Sequence, residues 1–192
     1  MQDHPLVSLI LPFNPCNEAL RWLRSLPAST TPAEAWELCS RGGWMLWLVG
    51  RVESDRKLLV LAACDCAEQV LHLVPADEER PRKAIETARR WARGEATIEE
   101  VETAAAATRR ASHSLREPAN FASFSALNAV SVALSVDPHG PAAQDAAFWC
   151  DKCGSFFRSG TPNSAFATRT RIPWSVMVTA PGLVGRLGGG AS

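Results

Sequence analysis

Apolar positions recur along this chain at helical spacing, and they are densest from Asp55 to Val74, DRKLLVLAACDCAEQVLHLV. Wound at 100° per residue, Leu59, Val60, Ala62, Ala63, Cys64, Cys66, Ala67, Val70, Leu71, Leu73 and Val74 form a very wide apolar arc. Asp65, Glu68, Gln69 and His72 share the narrow face that remains. A helix apolar around most of its girth is expected inside a bundle, with neighbours on several sides and one strip reaching solvent.

The same pattern, with its punctuation, predicts the other elements. Residues 1–15 carry Pro5, Pro12 and Pro15 and read as an extended strap. A helix follows from about Cys16 to Leu26, ended by Pro27. Thr31-Pro32-Ala33-Glu34 supplies a cap, a first-turn proline and a capping-box glutamate, so a helix starts there and is expected to stop at Gly42-Gly43. Trp44 to Val49 is a short apolar helix. PADEER, Pro75 to Arg80, reads as an exposed acidic loop before a helix opened by Pro81. On that helix Ala84, Ile85, Ala88, Trp91 and Ala92 form the apolar face, and Arg82, Lys83, Arg89, Arg90 and Arg93 lie opposite. Gly94 is its stop, and Thr97 with Glu100 marks the next start. Helices are further expected over Ile98 to Leu115, Pro118 to Val136 and Ala142 to Phe157, with a turn at Asp137 to Pro141 and one more cap at Thr161-Pro162.

Beyond Ala167 the periodicity dissolves into β-branched residues, prolines and a terminal glycine run. The expected organisation is therefore all-α: a strap over 1–15, one helical domain over 16–167 built as a bundle or an array of helical hairpins, and an irregular or disordered tail over 168–192. That tail has the composition a shifted reading frame yields in a G+C-rich gene, so its removal is expected to leave the melting temperature nearly unchanged.

Composition narrows the class. The chain has 192 residues, 46% hydrophobic and 21% charged, with zero formal net charge, which suits one domain and argues against wholesale phosphate neutralisation. The average hides an asymmetry: all 20 acidic residues lie at or before Asp151 against 15 of the 20 basic ones, so residues 1–151 carry −5 and residues 152–192 carry +5. No hydrophobic run is long enough to span a bilayer, and the start lacks the pattern of a signal peptide. A cytoplasmic protein with its six cysteines reduced is the expectation.

Four of those cysteines, Cys64, Cys66, Cys150 and Cys153, resemble a tetrahedral zinc set. Residues two apart on a helix are separated by about 200°, however, so Cys64 and Cys66 cannot grip one ion. The four are expected to be structural thiols. His4, His72, His113 and His139 are scattered, and the nucleophile-elbow, Walker and dinucleotide fingerprints are missing. No catalytic, metal or cofactor residue is assigned. The arginine face of the Pro81 helix is a nucleic-acid footprint in outline, but acidic residues are interspersed, and a solvated face is the simpler reading.

The segments WMLWL, AACDCA and RPRKAIETARRWARGEAT, within the span Cys16 to Val101, resemble the Imm-5-like immunity proteins, small helical proteins of bacteria and phages. From Ala104 to Ala167 the resemblance is looser. It implies a non-catalytic protein that binds and neutralises a cognate toxin. The alternatives are a bacterial or phage adaptor binding a host protein, then a nucleic-acid binder. The surface expected to meet a basic protein partner is the acidic connector Asp77, Glu78 and Glu79 with the adjoining strip of Asp65 and Glu68, where charge would speed encounter.

Overall fold

The computed structural model describes residues 4–53, 55–135, 140–154 and 163–187. The turn expected around Asp137-Pro138-His139, the aromatic pair Phe156 and Phe157, and the cap expected at Thr161-Pro162 lie outside them. Among the described residues the fold is all-α, with no strand. Its helices are α1 (Pro5–Ile10), α2 (Asn17–Ser25), α3 (Pro32–Leu38), α4 (Gly42–Val52), α5 (Arg56–Glu68), α6 (Arg80–Arg93), α7 (Ile98–Ser114), α8 (Ala119–Leu134), α9 (Ala142–Gly154), α10 (Ser164–Arg171), α11 (Trp174–Met177) and α12 (Pro181–Leu187).

The capping signals read from the sequence do their work. The Thr31 and Thr97 side chains accept from the backbone N–H groups of Glu34 and Glu100, and each glutamate returns a bond to its cap residue's backbone. Gly94 ends α6 at φ +79°, a conformation that costs glycine little because it has no Cβ.

The dense stretch at 55–74 is the centre of the molecule. α5 packs against α4, α6, α8, α9 and α10, and Leu59, Val60, Ala62, Ala63, Cys64, Cys66 and Ala67 are all buried. It closes at Glu68, six residues before the apolar pattern ends at Val74, and a 3₁₀ turn over Leu71–Leu73 completes the stretch. The second central helix is α8, which touches α5, α6, α7 and α9. Buried alanines and serines along it let the neighbours approach closely. The Ser125 hydroxyl donates to the Ala146 carbonyl at 2.7 Å, and the Ser112 and Ser123 hydroxyls lie 2.8 Å apart, so the small polar side chains are satisfied where they are buried.

Three expectations are corrected. The strap over 1–15 contains a helix, α1, and a 3₁₀ turn at Leu11–Phe13. Pro5 sits in the first turn, where its missing N–H costs nothing, and His4 caps it, accepting from the Leu6 N–H at 3.2 Å. Gly42-Gly43 is the first turn of α4, whereas α3 stops at Leu38. The third correction is the tail: α10, α11 and α12 are helical, and Ile172, Met177, Ala180 and Leu183 are buried in the main core. Pro173 and Pro181 read as breakers, yet one caps α11 and the other opens α12. Prolines at helix starts and at helix ends look alike in one dimension.

Candidate functional site

Of the five carboxylates picked out as partner-binding, two lie on α5 and three on the α5–α6 connector, and their situations differ. Asp65 is clamped on both oxygens. Arg89 of α6 donates to its Oδ1 at 2.8 Å, while Arg171 at the end of α10 donates to Oδ2 at 2.6 Å and to Oδ1 at 3.2 Å. Arg89 also donates to Glu68 Oε2 at 2.6 Å. Burial works against the Arg89 guanidinium, but its bonds to Glu68 and Asp65 outweigh that and hold its pKa above the ordinary value. The bonds from Asp65 raise Arg171 in the same sense. Two acids and two arginines thus cancel, and the strip that looked acidic is a locally neutral knot joining α5, α6 and α10.

On the connector the pairs are local, that of Glu79 exposed and that of Glu78 partly buried. Glu78 accepts from the Arg80 backbone N–H at 3.1 Å and from Arg80 Nε at 2.7 Å, and Glu79 pairs with Lys83 at 2.5 Å. The Arg80 side chain lowers the pKa of Glu78 and the Lys83 side chain that of Glu79, so both are ionised at neutral pH. Asp77 is exposed and makes no ion pair among the described residues. No bond links the connector acids to Asp65 or Glu68 among the described residues.

The arginine face of α6 is largely consumed. Arg89 is held as above, Arg90 donates to Glu100 and to the Glu95 carbonyl, and Arg93 donates to Glu95. Of that face, Arg82 stands exposed without an ion pair among the described residues. A cation already paired with a carboxylate releases little counterion on meeting a phosphate, which weakens the nucleic-acid alternative.

Beside the Asp65 knot runs a shallow groove between α5 and α10, lined by Asp65, Glu68, Gln69, Phe166, Ala167 and Thr170. Its wall is braced by a two-way amide bond: Gln69 Nε2 donates to the Asn163 carbonyl at 3.1 Å, and the Asn163 N–H donates to Gln69 Oε1 at 2.9 Å. The Phe166 ring is 62% exposed there. Sequence reasoning missed Arg171 because it read the chain beyond Ala167 as irregular, and Phe166, inside an expected helix, because nothing in one dimension marked its ring as exposed; the S-A-F-A-T-R-T-R run, capped by Asn163, was the available signal for the helix.

The thiols diverge as the helical geometry requires. Cys64 Sγ lies 3.9 Å from the Ile85 carbonyl on α6, while Cys66 Sγ lies 3.6 Å from the Ser164 carbonyl on α10. Burial pushes the Cys64, Cys66 and Cys153 thiols up to about 12 and raises Cys150 as well. Such thiols are poor nucleophiles. Of the six free cysteines only Cys16 is exposed, so a disulfide-exchange reagent at pH 8 should titrate one thiol per native chain and six after unfolding. More than one rapid thiol in the native protein would contradict this packing. The linkage has a definite sign: folded values are raised above the unfolded value of about 8.5. The thiols' contribution to stability is therefore complete below that pH and is lost as pH rises towards about 12, a decline that denaturant melts across this range will read.

The sequence profile of a family described as Imm-5 like putative immunity protein matches residues 52–147, half of the chain. The matched span begins at the last residue of α4 and runs into α9, so it starts later and extends further than the Cys16 to Val101 span that carried the resemblance. All five candidate carboxylates lie inside it; Arg171, Phe166 and helices α1 to α3 lie outside. No curated protein and no solved structure matches the chain.

Proposed function

Since the chain belongs to the Imm-5 like putative immunity protein family, we propose that it is a non-catalytic protein-binding module that neutralises a cognate toxin by direct contact. Family membership is the observation that carries this reading. The geometry supports it from the other side. The four buried cysteines of α5 and α9 are held as protonated thiols, and the principal carboxylates are spent on the chain's own arginines. Meanwhile two aromatic rings, Phe148 and Phe166, remain more than half exposed, and exposed aromatics are the usual anchors of protein contacts.

Within this reading the five carboxylates divide. Exposed ion pairs contribute only about 0–1 kcal/mol, so Glu79 can exchange Lys83 for a partner's cation at little cost, and Asp77 is unengaged, whereas Glu78, its side chain largely buried, is held more firmly by Arg80. Asp65, held by two arginines at partial burial, acts as a brace, with Glu68 at its open edge.

The test is co-production with a candidate toxin taken from a gene neighbouring that of this chain. Cells should survive, and the purified toxin should lose activity in proportion to bound protein, reaching zero near equal stoichiometry. Changing Asp77, Glu78 and Glu79 to lysine should weaken the complex by about tenfold or more and flatten its salt dependence, whereas Arg90→Glu should leave it unaltered. A toxin that stays active when saturated, or one inactivated by turnover at substoichiometric protein, would overturn the proposal.

A further inference from the structure

At the seam between the N-terminal helices and the main bundle lies an apolar cavity of about 90 Å³, walled by α1, α2, α3 and α4 with Trp174 of α11 and Leu183 of α12. Five of the chain's seven tryptophans, Trp22, Trp36, Trp44, Trp47 and Trp174, line it. The gap falls where two cores meet: Leu6, Val7, Leu23 and Ala35 form a small cluster of their own, separate from the large one that holds Met45 and Leu183. Planar rings arriving from four helices tile poorly, whereas protein interiors are otherwise close-packed.

Among the described residues no charged side chain lines this space. Its titratable member, Cys39, donates from Sγ to the Arg41 carbonyl at 3.6 Å, and burial raises its pKa, so it stands there as a neutral thiol. The Trp36 indole, the most buried of the five, already spends its N–H on the Ile172 carbonyl at 3.2 Å. A buried water needs two to four polar partners and finds almost none here, and an ion would lose its hydration without compensation. An apolar void of about 150 Å³ in another protein stays dry and takes up benzene or xenon, so a space of about 90 Å³ suits an occupant no larger than one small ring. Access is short, because Trp22, Trp44, Trp47 and Trp174 are each half-buried. Trp22 and Trp44, their ring centroids 5.9 Å apart, also border a surface hollow with Glu18, Arg21, Ser40 and Arg41. The two arginines there are offset by Glu18 and by Asp151, which lies in electrostatic range of Arg41. The hollow therefore favours neither sign of charge, and the cavity alone selects the ligand.

We propose that the tryptophan-lined cavity binds a small uncharged apolar molecule, a single unsubstituted ring or a short hydrocarbon chain, which enters where the half-buried tryptophans reach the surface. Size and apolarity set its specificity, with no ion pair to anchor it. The site stands apart from the toxin-contact reading and does not depend on it.

The experiment is a tryptophan-fluorescence titration of the full chain with benzene, benzoate and benzylammonium, paralleled by thermal shift. Benzene should bind saturably and raise the melting temperature, because a ligand held by the folded state alone opposes unfolding. Benzoate and benzylammonium carry the same ring with a charge of either sign, and each should bind about tenfold or more weakly, since that charge would be buried without a partner. Ala19→Leu, which fills the cavity from α2, should abolish benzene binding. Should that variant fail to fold, Leu48→Ala decides: it removes part of the α4 wall, and propylbenzene, too long for the native space, should gain about tenfold in affinity. Absence of saturable benzene binding, an affinity for either ion equal to that for benzene, benzene binding retained by a folded Ala19→Leu variant, or propylbenzene binding unimproved by Leu48→Ala would each overturn the proposal.

Discussion

A chain ended after Ala167 should fail to fold cooperatively, or should melt far below the full-length protein. The residues removed include Ile172 at 0% exposure, Met177 at 1% and Leu183 at 1%, all part of the main core. Deleting one such side chain typically costs about 2–5 kcal/mol, and a whole domain is stable by only about 5–15 kcal/mol. Losing three, and stripping the cover from Trp36, consumes most or all of that margin. The Trp36 indole would also lose its acceptor at Ile172, and Asp65 would lose the bidentate hold of Arg171. Circular dichroism melts of the two lengths decide the matter. A shift of only a degree or two would mean that these helices are appended to the domain and not built into it, as the composition alone suggested.

The second large effect is expected at Gly42. A Cβ there would lie 2.2 Å from Ser164 Oγ and 2.5 Å from the Ser164 carbonyl carbon, a backbone atom that cannot rotate away. Ser164 itself is fixed, because its hydroxyl donates to Asp151 Oδ2 at 2.7 Å and its N–H donates to Asp151 Oδ1 at 3.1 Å. Gly42→Ala must therefore push α10 away from α4 and strain those two bonds. Overpacking typically costs about 1–3 kcal/mol, and weakening hydrogen bonds to a charged group adds to it, so a loss of about 3 kcal/mol or more is expected. Gly43→Ala is the control. Its Cβ would meet only the Gln144 carbonyl at 3.5 Å, ordinary contact, and alanine is the better helix former by about 1 kcal/mol, so that variant should be neutral or slightly stabilised. Chemical denaturation of the pair reads the difference. Equal stabilities would mean that α4 and α10 do not approach as closely as the backbone shows.

These two results bear on what the chain's charge distribution is for. The acidic body and basic tail suggested a surface awaiting a basic toxin, yet much of the positive tail turns back onto the body. Arg171 lies on Asp65, Arg169 donates to the Cys39 carbonyl at 2.6 Å and lies 3.6 Å from Glu37, and Arg186 stacks over Phe13 at 5.0 Å. Part of the charge difference is thus the means by which α10 to α12 dock. The connector Asp77 to Glu79 is untouched by this docking, and for that reason it is the part of the acidic surface that the toxin-binding reading retains.

The sequence by itself determined the helical class, both capping boxes, the Gly94 stop and the central place of α5. Each of these rests on interactions between residues a few positions apart, or on a periodicity that repeats within one element, and such information is local. It also determined that Cys64 and Cys66 face apart, since the helical rotation between them needs no knowledge of neighbours. Pro32 and Pro81 are legible as helix openers, but only the tertiary structure decided that Pro173 and Pro181 start helices, because that depends on whether the following turn finds a core to bury Met177 or Leu183. It decided likewise that Asp65 is a brace, since Arg171 lies 106 positions away in the chain, and that Gly42 opens a helix, since its contact with Ser164 joins segments more than a hundred residues apart. The tryptophan-lined seam belongs with these: each ring falls on an apolar face legible in one dimension, but the gap among them exists only where six helices meet.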